Sequence, residues 1–135
     1  MTPAATESAQ RGVLDTSVFI AKEAGRPLAE LPDMAAVSVI TLAELHLGVL
    51  MAKGSAVRAQ RLRTLTMVQN TFEPLPIDSD VARTFAELVA EARRYGKRPR
   101  IMDTWIAATA VAHDIPVYTQ DEDFVEIPKV RVRRV

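Results

Sequence analysis

Acidic side chains stand beside apolar segments that lie far apart in the sequence. Asp15 ends the first apolar segment, Glu44 lies in SVITLAEL, Asp103 in PRIMDTWIAA, and Asp121 and Asp123 follow VYT. A carboxylate on an apolar segment is poorly solvated unless a hydrogen-bond donor or a cation lies beside it. Several carboxylates in a small volume repel one another unless they are protonated or neutralised. The pattern predicts a shared cation site if these acids converge.

The chemistry of such a site follows from its ligands. All-oxygen ligation favours Mg²⁺ or Mn²⁺, which keep several waters and bridge to substrate phosphates. A metal held this way activates water and stabilises charge on a phosphoryl oxygen, so no protein nucleophile is needed. The chain contains no Cys, which excludes thiolate sites and Cys nucleophiles. It also lacks a glycine-rich phosphate loop, which argues against a nucleotide-binding switch.

Each acid also has a purely structural interpretation. In TLAE (41–44) the glutamate follows the threonine by three residues, which is the pattern of a helix capping box. Asp103 can complement the dipole of its helix start, and Asp121 and Asp123 lie in a turn, where Asp is common. Asp15 can be a helix N-cap. Together the acids are stronger evidence for a cation site than any one of them alone, because all are predicted at one edge of a sheet.

A basic loop precedes the third acidic segment. Lys97, Arg98 and Arg100 lie within KRPR, just before Asp103. A basic loop beside an acidic metal pocket would hold a phosphate backbone, which makes these three residues candidates for contacts with such a backbone. A solvated loop is about as good an explanation of the charge pattern. With 17 basic and 17 acidic residues, the whole chain gives no global electrostatic case for binding nucleic acid.

Short β-branched runs alternate with helical patterns along the chain, which predicts a parallel sheet with right-handed crossovers. We therefore expect a three-layer α/β/α domain with a short, mostly parallel central sheet. Strands are predicted at 13–15, 35–40, 117–119 and 130–132, with a further short edge strand at 73–77. Helices are predicted from a Thr16 or Ser17 cap towards 24, at 41–52, from a Ser55 cap through 72, from an Asp78 or Ser79 cap to about 95, and at 101–113.

The chain has 135 residues, a length typical of one domain. We interpret residues 1–11, which are small and polar, as a disordered tail and residues 12–135 as the domain. No apolar run approaches the roughly 18 residues of a membrane span. These features and the lack of Cys fit a cytoplasmic protein.

Three ordered blocks resemble the PIN domain family, specifically the VapC-type toxins of VapBC toxin–antitoxin pairs. VLDTSVFI is similar to the opening strand of the family with its first Asp. SVITLAELHLGV is similar to the second acidic block, and IMDTWIAATAVAHDIPVYTQDEDF to the third. The resemblance covers roughly residues 12–132, which is nearly the whole chain.

The resemblance implies a Mg²⁺- or Mn²⁺-dependent endoribonuclease that hydrolyses single-stranded regions of tRNA, rRNA or mRNA. In such an enzyme Lys97, Arg98 and Arg100 would be RNA-binding residues. The positions that match the catalytic, metal-binding quartet of the family are Asp15, Glu44, Asp103 and Asp121. Asp123 matches a further acidic position that binds the metal directly or through water, and Ser17 matches a supporting hydroxyl. The family also implies a homodimer and a small DNA-binding antitoxin of the VapB type, which blocks the pocket.

Two other functions remain open on the residues alone. One is a catalytically inactive PIN-like module that uses its acidic pocket to bind a basic partner. The other is a phosphatase-type hydrolase of the same layered architecture. A phosphatase of this kind would need another acid two residues after its Asp nucleophile, whereas Asp15 is followed by Thr16 and Ser17.

Overall fold

A computed structural model describes residues 10–135. Its elements are β1 (Arg11–Leu14), α1 (Thr16–Glu23), β2 (Met34–Ala36), α2 (Val39–Leu50), α3 (Ser55–Thr71), α4 (Ser79–Arg94), α5 (Ile101–Ala112), β3 (Val117–Thr119), a 3₁₀ helix (Asp123–Glu126) and β4 (Val132–Arg134). Residues 1–9 of the predicted tail lie outside the described residues. Arg11, its last predicted member, is the first residue of β1.

The four strands form one parallel sheet in the order β2-β1-β3-β4. After β1, the chain first adds β2 on one side of β1, and it later adds β3 on the other side of β1. Val13 lies opposite Val117 and Leu14 opposite Tyr118 in that pairing. A change of direction of this kind is a topological switch point, and ligands of open α/β sheets bind outside the carboxyl ends of the strands there.

Successive strand residues face two separate cores. Val13 and Val117 pack with α4 and α5, whereas Leu14 and Tyr118 pack with the side chains of α1, α2 and α3. This alternation is expected of strands buried on both faces, because successive side chains point to opposite sides of a sheet. The predicted three-layer α/β/α architecture with a parallel sheet is confirmed.

The predicted boundary between β2 and α2 was wrong. β2 ends at Ala36 instead of continuing to Ile40, because Ser38 is the N-cap of α2 and its Oγ accepts a hydrogen bond from the Ile40 N–H at 3.0 Å. Thr41 therefore lies inside the helix and cannot begin a capping box there. The segment 73–77 forms an isolated parallel bridge, between Leu75 and Ser38, instead of a strand.

Other element ends also differ from the predictions. The N-cap of α3 is Gly54, whose φ of 94° suits glycine, and not Ser55. β4 lies at Val132–Arg134 instead of 130–132, and the 3₁₀ helix was not predicted. Asp78 is the N-cap of α4, as one of the two predicted caps.

The apolar stripe of α3 is narrower than its sequence suggests. Leu65 and Val68 are buried, whereas Ala59 and Leu62, which recur with Leu65 at helical spacing, are exposed. Ala112, four residues after the buried Ala108 on α5, is also exposed. Among residues 10–135 we find no helix with both the length and the apolar character needed to cross a bilayer.

Phe85 is half-buried and stacks on Trp105, with ring centroids 3.7 Å apart and planes 8° from parallel. We predict that Phe85→Ala lowers the free energy of unfolding by about 3 kcal/mol, near the lower end for buried Phe, because it removes both packing and the aromatic contact. Urea denaturation measures the change. Tyr95→Ala is the matched control, since Tyr95 is 74% exposed and should change stability by less than about 0.5 kcal/mol. Equal losses in the two variants would contradict the assigned packing.

Candidate active site

The switch point between β1 and β3 carries two of the predicted acids. Asp15 directly follows β1 and is the N-cap of α1, where its side chain accepts a hydrogen bond from the Ser17 N–H. Asp121 follows β3 by two residues. Parallel strands end at the same edge, so the two acids lie on either side of the crevice that this topology creates. The N-cap interpretation of Asp15 is correct and is compatible with a further role.

Hydroxyl groups fix Asp15 in place. The Ser17 Oγ donates to Asp15 Oδ2 at 2.6 Å, and the Thr119 Oγ1 donates to the same oxygen at 2.9 Å. The backbone N–H of Asp121 donates to Thr119 Oγ1 at 2.9 Å, which ties the turn after β3 to this network. Asp15 is only 2% exposed, so its carboxylate is held by neutral donors instead of water. Thr119 was not predicted as a site residue, although its position at a strand end before an acid was a usable signal.

Glu44 reaches the same edge from α2, which lies in the same helical layer as α1. It lies in the second turn of α2, and its Oε1 accepts a hydrogen bond from Thr16 Oγ1 at 2.6 Å. The capping-box interpretation of Glu44 is therefore wrong, because the cap of α2 is Ser38 and the side chain of Glu44 bonds to α1. Thr16, predicted only as a possible helix cap, lies inside α1 after the Asp15 cap, and it is the residue that orients Glu44.

Asp103 is the third residue of α5 and is 3% exposed. Within the described residues its Oδ2 is buried and has no hydrogen-bond partner. The nearest cation is Arg100, whose Nη1 lies 3.8 Å from Asp103 Oδ2 and 3.8 Å from Asp123 Oδ2. Asp103 also complements the helix dipole, since it lies in the first turn, but that interaction leaves a buried oxygen unsatisfied.

The protonation equilibria indicate that the acids converge. Burial, followed by the charges of Asp15, Glu44 and Asp121, raises the pKa of Asp103 to about 6, although Arg100 opposes the shift. Burial and the charge of Asp15 also raise the pKa of Glu44, against the hydrogen bond from Thr16. Burial and the charges of Asp15 and Asp123 raise the pKa of Asp121. Each of these acids therefore lies within range of repulsion from Asp15.

The acids do not form a closed ligand set. Across residues 10–135, no three His, Asp or Glu side chains are arranged to hold one ion as they stand. Mg²⁺ usually contacts only one or two carboxylates and keeps several waters, so an open arrangement of oxygen donors is compatible with it. The buried, unpartnered oxygen of Asp103 and the mutual repulsion of the acids are the features that a divalent cation would relieve.

The predicted RNA-binding loop separates into two parts. Arg100 pairs with the acids themselves, as described above. Lys97 and Arg98 instead line a separate cavity of about 200 Å³ together with Arg93. Arg100 thus lies beside the acids, whereas Lys97 and Arg98 lie at a different cavity.

Comparisons with known proteins agree with this architecture. The PIN domain family matches residues 12–130. Ribonuclease VapC5 of Mycobacterium tuberculosis is 52% identical over 118 residues, which are 86% of this chain and 87% of that protein. Ribonuclease VapC4 of the same organism is 48% identical over 128 residues, covering 91% of this chain and 95% of that protein. The crystal structure of VapBC-5 from M. tuberculosis, a member of the VapBC family of toxin–antitoxin systems, is similar with a TM-score of 0.78 and 47% identity, covering 93% of this chain and 97% of that chain.

The raised pKa of Asp103 makes a prediction about stability. A folded-state pKa of about 6, above the ordinary 3.8, means that ionised Asp103 destabilises the folded protein as pH rises through that range. In EDTA, Asp103→Asn should therefore be more stable than the wild type by about 1–3 kcal/mol at pH 8, and the gain should shrink towards pH 4. Urea denaturation at both pH values measures it. Exposed Glu30→Gln is the control, and a gain independent of pH would contradict the assignment.

Proposed function

The chain belongs to the PIN domain family, and on that premise we propose that it is a metal-dependent endoribonuclease, the toxin of a VapBC-type pair. The observation that carries the proposal is the group of acids at the switch point, which repel one another and are held by hydroxyl hydrogen bonds. The names of the relatives VapC5 and VapC4, both ribonucleases, support the reaction class. We further propose that the substrate is a single-stranded region of tRNA, rRNA or mRNA.

The donor set fits Mg²⁺ or Mn²⁺ because every candidate ligand is a carboxylate oxygen. We assign Asp15, Glu44, Asp103 and Asp121 as the residues that would hold the ion, with Asp123 at the exposed side. When bound, such an ion activates water and stabilises negative charge on a phosphoryl oxygen.

The chain itself supplies preorganisation. Ser17 and Thr119 direct the carboxylate of Asp15, and Thr16 directs that of Glu44, so neither acid must find its orientation during the reaction. The pKa of Asp103, although raised to about 6, leaves its carboxyl mostly ionised at neutral pH, as a ligand of a cation must be. The guanidinium of Arg100, paired with acids at 3.8 Å, is placed to hold a phosphate at the same edge.

We propose two protein partners. A VapB-type antitoxin would block the site with a basic side chain, since the edge carries an excess of negative groups; the similar VapBC-5 structure supports a partner of this kind. A second copy of the chain would form a homodimer. The exposure of Leu47, Leu50 and Met51 near the end of α2 is consistent with a covered surface.

The nuclease proposal predicts cleavage of single-stranded RNA with Mg²⁺ or Mn²⁺ and loss of cleavage with EDTA. Asp15→Asn and Asp103→Asn should each lower kcat/KM by at least about 100-fold, because removing one preorganised electrostatic group typically has effects of this size. Cleavage of a labelled RNA is followed on denaturing gels. Asp80→Asn, an exposed acid that pairs with Arg83, is the matched control and should retain activity.

Cleavage that survives both site substitutions, or that ignores EDTA, would refute the proposal. Calorimetry with Mn²⁺ separates the nuclease from the inactive binding module. Binding of Mn²⁺ that is lost in Asp103→Asn supports a metal site whatever the activity, whereas no binding above background supports the module.

Lys97 and Arg98 are proposed to contact the RNA backbone. The double substitution Lys97→Gln, Arg98→Gln should raise KM equally for all RNA sequences with little change in kcat, since phosphate contacts carry no base information. The plot of log affinity against log salt concentration should become less steep. The magnitude of its slope should decrease by about 1.4, that is, by about 0.7 for each lost contact to a single strand. Binding titrations over a range of salt measure the slope. An unchanged slope would exclude these two residues from the interface.

A further inference from the structure

A cavity of about 220 Å³ lies directly beside the acidic edge, and Thr16 and Glu44 line it. These two residues form its boundary with the site, because the Thr16 hydroxyl donates to Glu44 Oε1 at 2.6 Å. Pockets for drug-sized ligands usually measure about 300–1,000 Å³, so this cavity suits one small planar group.

One face of α1 forms the floor of the cavity. Thr16, Ile20 and Glu23 all line it, and their spacing of four and three residues places them on the same side of a helix. Seven residues of helix extend about 10 Å, so Glu23 lies about that far from the acidic end. Between them, Ile20 is 49% exposed and offers an apolar surface to the cavity.

The far end of the cavity carries opposite charges. Arg61 Nη1 donates to the backbone carbonyl oxygen of Gly48 at 2.7 Å, and Thr64 Oγ1 donates to Glu23 Oε1 at 2.7 Å. These bonds fix both charged side chains in place. In the part of the chain that the structure describes, neither Glu23 nor Arg61 forms an ion pair. A half-buried cation and anion that face one cavity without pairing favour a ligand that bonds to both.

We propose that this cavity is a nucleobase subsite that selects guanine beside the scissile phosphate; the inference rests on the ribonuclease function proposed above. The O6 and N7 atoms of guanine accept hydrogen bonds from an Arg guanidinium. Its N1–H and N2–H₂ groups are neighbouring donors that match the carboxylate of Glu23. Single-stranded RNA presents unstacked bases for recognition of this kind, and Ile20 would contact the face of the base.

The first test needs neither metal nor cleavage. Binding of GMP, AMP, CMP and UMP to the whole protein in EDTA is measured by NMR titration. We expect GMP to bind most tightly and Glu23→Gln or Arg61→Lys to remove that preference, because each breaks one set of bonds to guanine. Glu23→Gln can retain the bond from Thr64. The matched controls are Glu30→Gln and Arg63→Lys, whose parent residues are exposed and outside the cavity, and they should behave as wild type.

The second test uses short single-stranded RNAs that differ in the base beside the cut. With Mg²⁺ or Mn²⁺, Glu23→Gln and Arg61→Lys should lower the kcat/KM ratio of the guanine substrate to the others by about 5- to 150-fold, the range for losing one bidentate base contact. Cleavage of the other substrates should change little.

The outcomes separate the two proposals. RNA cleavage whose base preference is unchanged in both variants overturns the subsite and leaves the nuclease standing. Selective GMP binding without cleavage of any RNA supports the subsite and removes the nuclease. If wild type neither binds GMP selectively nor prefers guanine, the subsite is excluded. Variants that keep the base preference but bind the antitoxin more weakly would assign the cavity to the protein partner and also overturn the proposal.

Discussion

The organisation of this protein depends on keeping like charges close together. Asp15 is buried, and its Oδ2 accepts hydrogen bonds from the Ser17 N–H, the Ser17 hydroxyl and the Thr119 hydroxyl. Glu44 accepts a short hydrogen bond from the Thr16 hydroxyl. These donors are neutral, so they orient the carboxylates without cancelling their charge. The repulsion that remains, together with burial, raises the pKa of Glu44, Asp103 and Asp121. Such a cluster of acids lowers the stability of the protein without a bound cation and favours the binding of a cation. A functional site often lowers stability in this way.

Both helical layers contribute an acid to this edge. Glu44 comes from α2, which belongs to the core on one face of the sheet, and Asp103 comes from α5, which packs on the other. Asp15 and Asp121 come from the strand ends between them. Because each core positions a different acid, the group forms only when both faces of the sheet are packed. The strand order makes this arrangement possible by leaving a crevice where β3 pairs with β1.

The cationic side chains also lie in separate groups. Arg100 pairs with Asp103 and Asp123, Arg134 pairs with Glu122, and Arg61 bonds to a backbone carbonyl in the neighbouring cavity. Lys97 and Arg98 lie in a separate group. Under the proposed function, different groups of residues would thus catalyse the reaction, recognise the base and contact the RNA backbone. A chain with zero net charge can bind a polyanion if its cations are distributed locally in this way.

The sequence by itself determined the layered fold class and the acids that stand at one edge. Both follow from local information: apolar runs of strand length alternating with helical periodicity, and a carboxylate directly after an apolar run such as Val13–Leu14. Only the tertiary structure decided what Glu44 contacts, because its partner Thr16 lies 28 residues away and TLAE alone favoured a capping box. The tertiary structure also separated Arg100 from Lys97 and Arg98, and created the cavity where Glu23 and Arg61 approach from different helices. Such contacts depend on how helices pack across the sheet, which periodicity within one segment cannot specify.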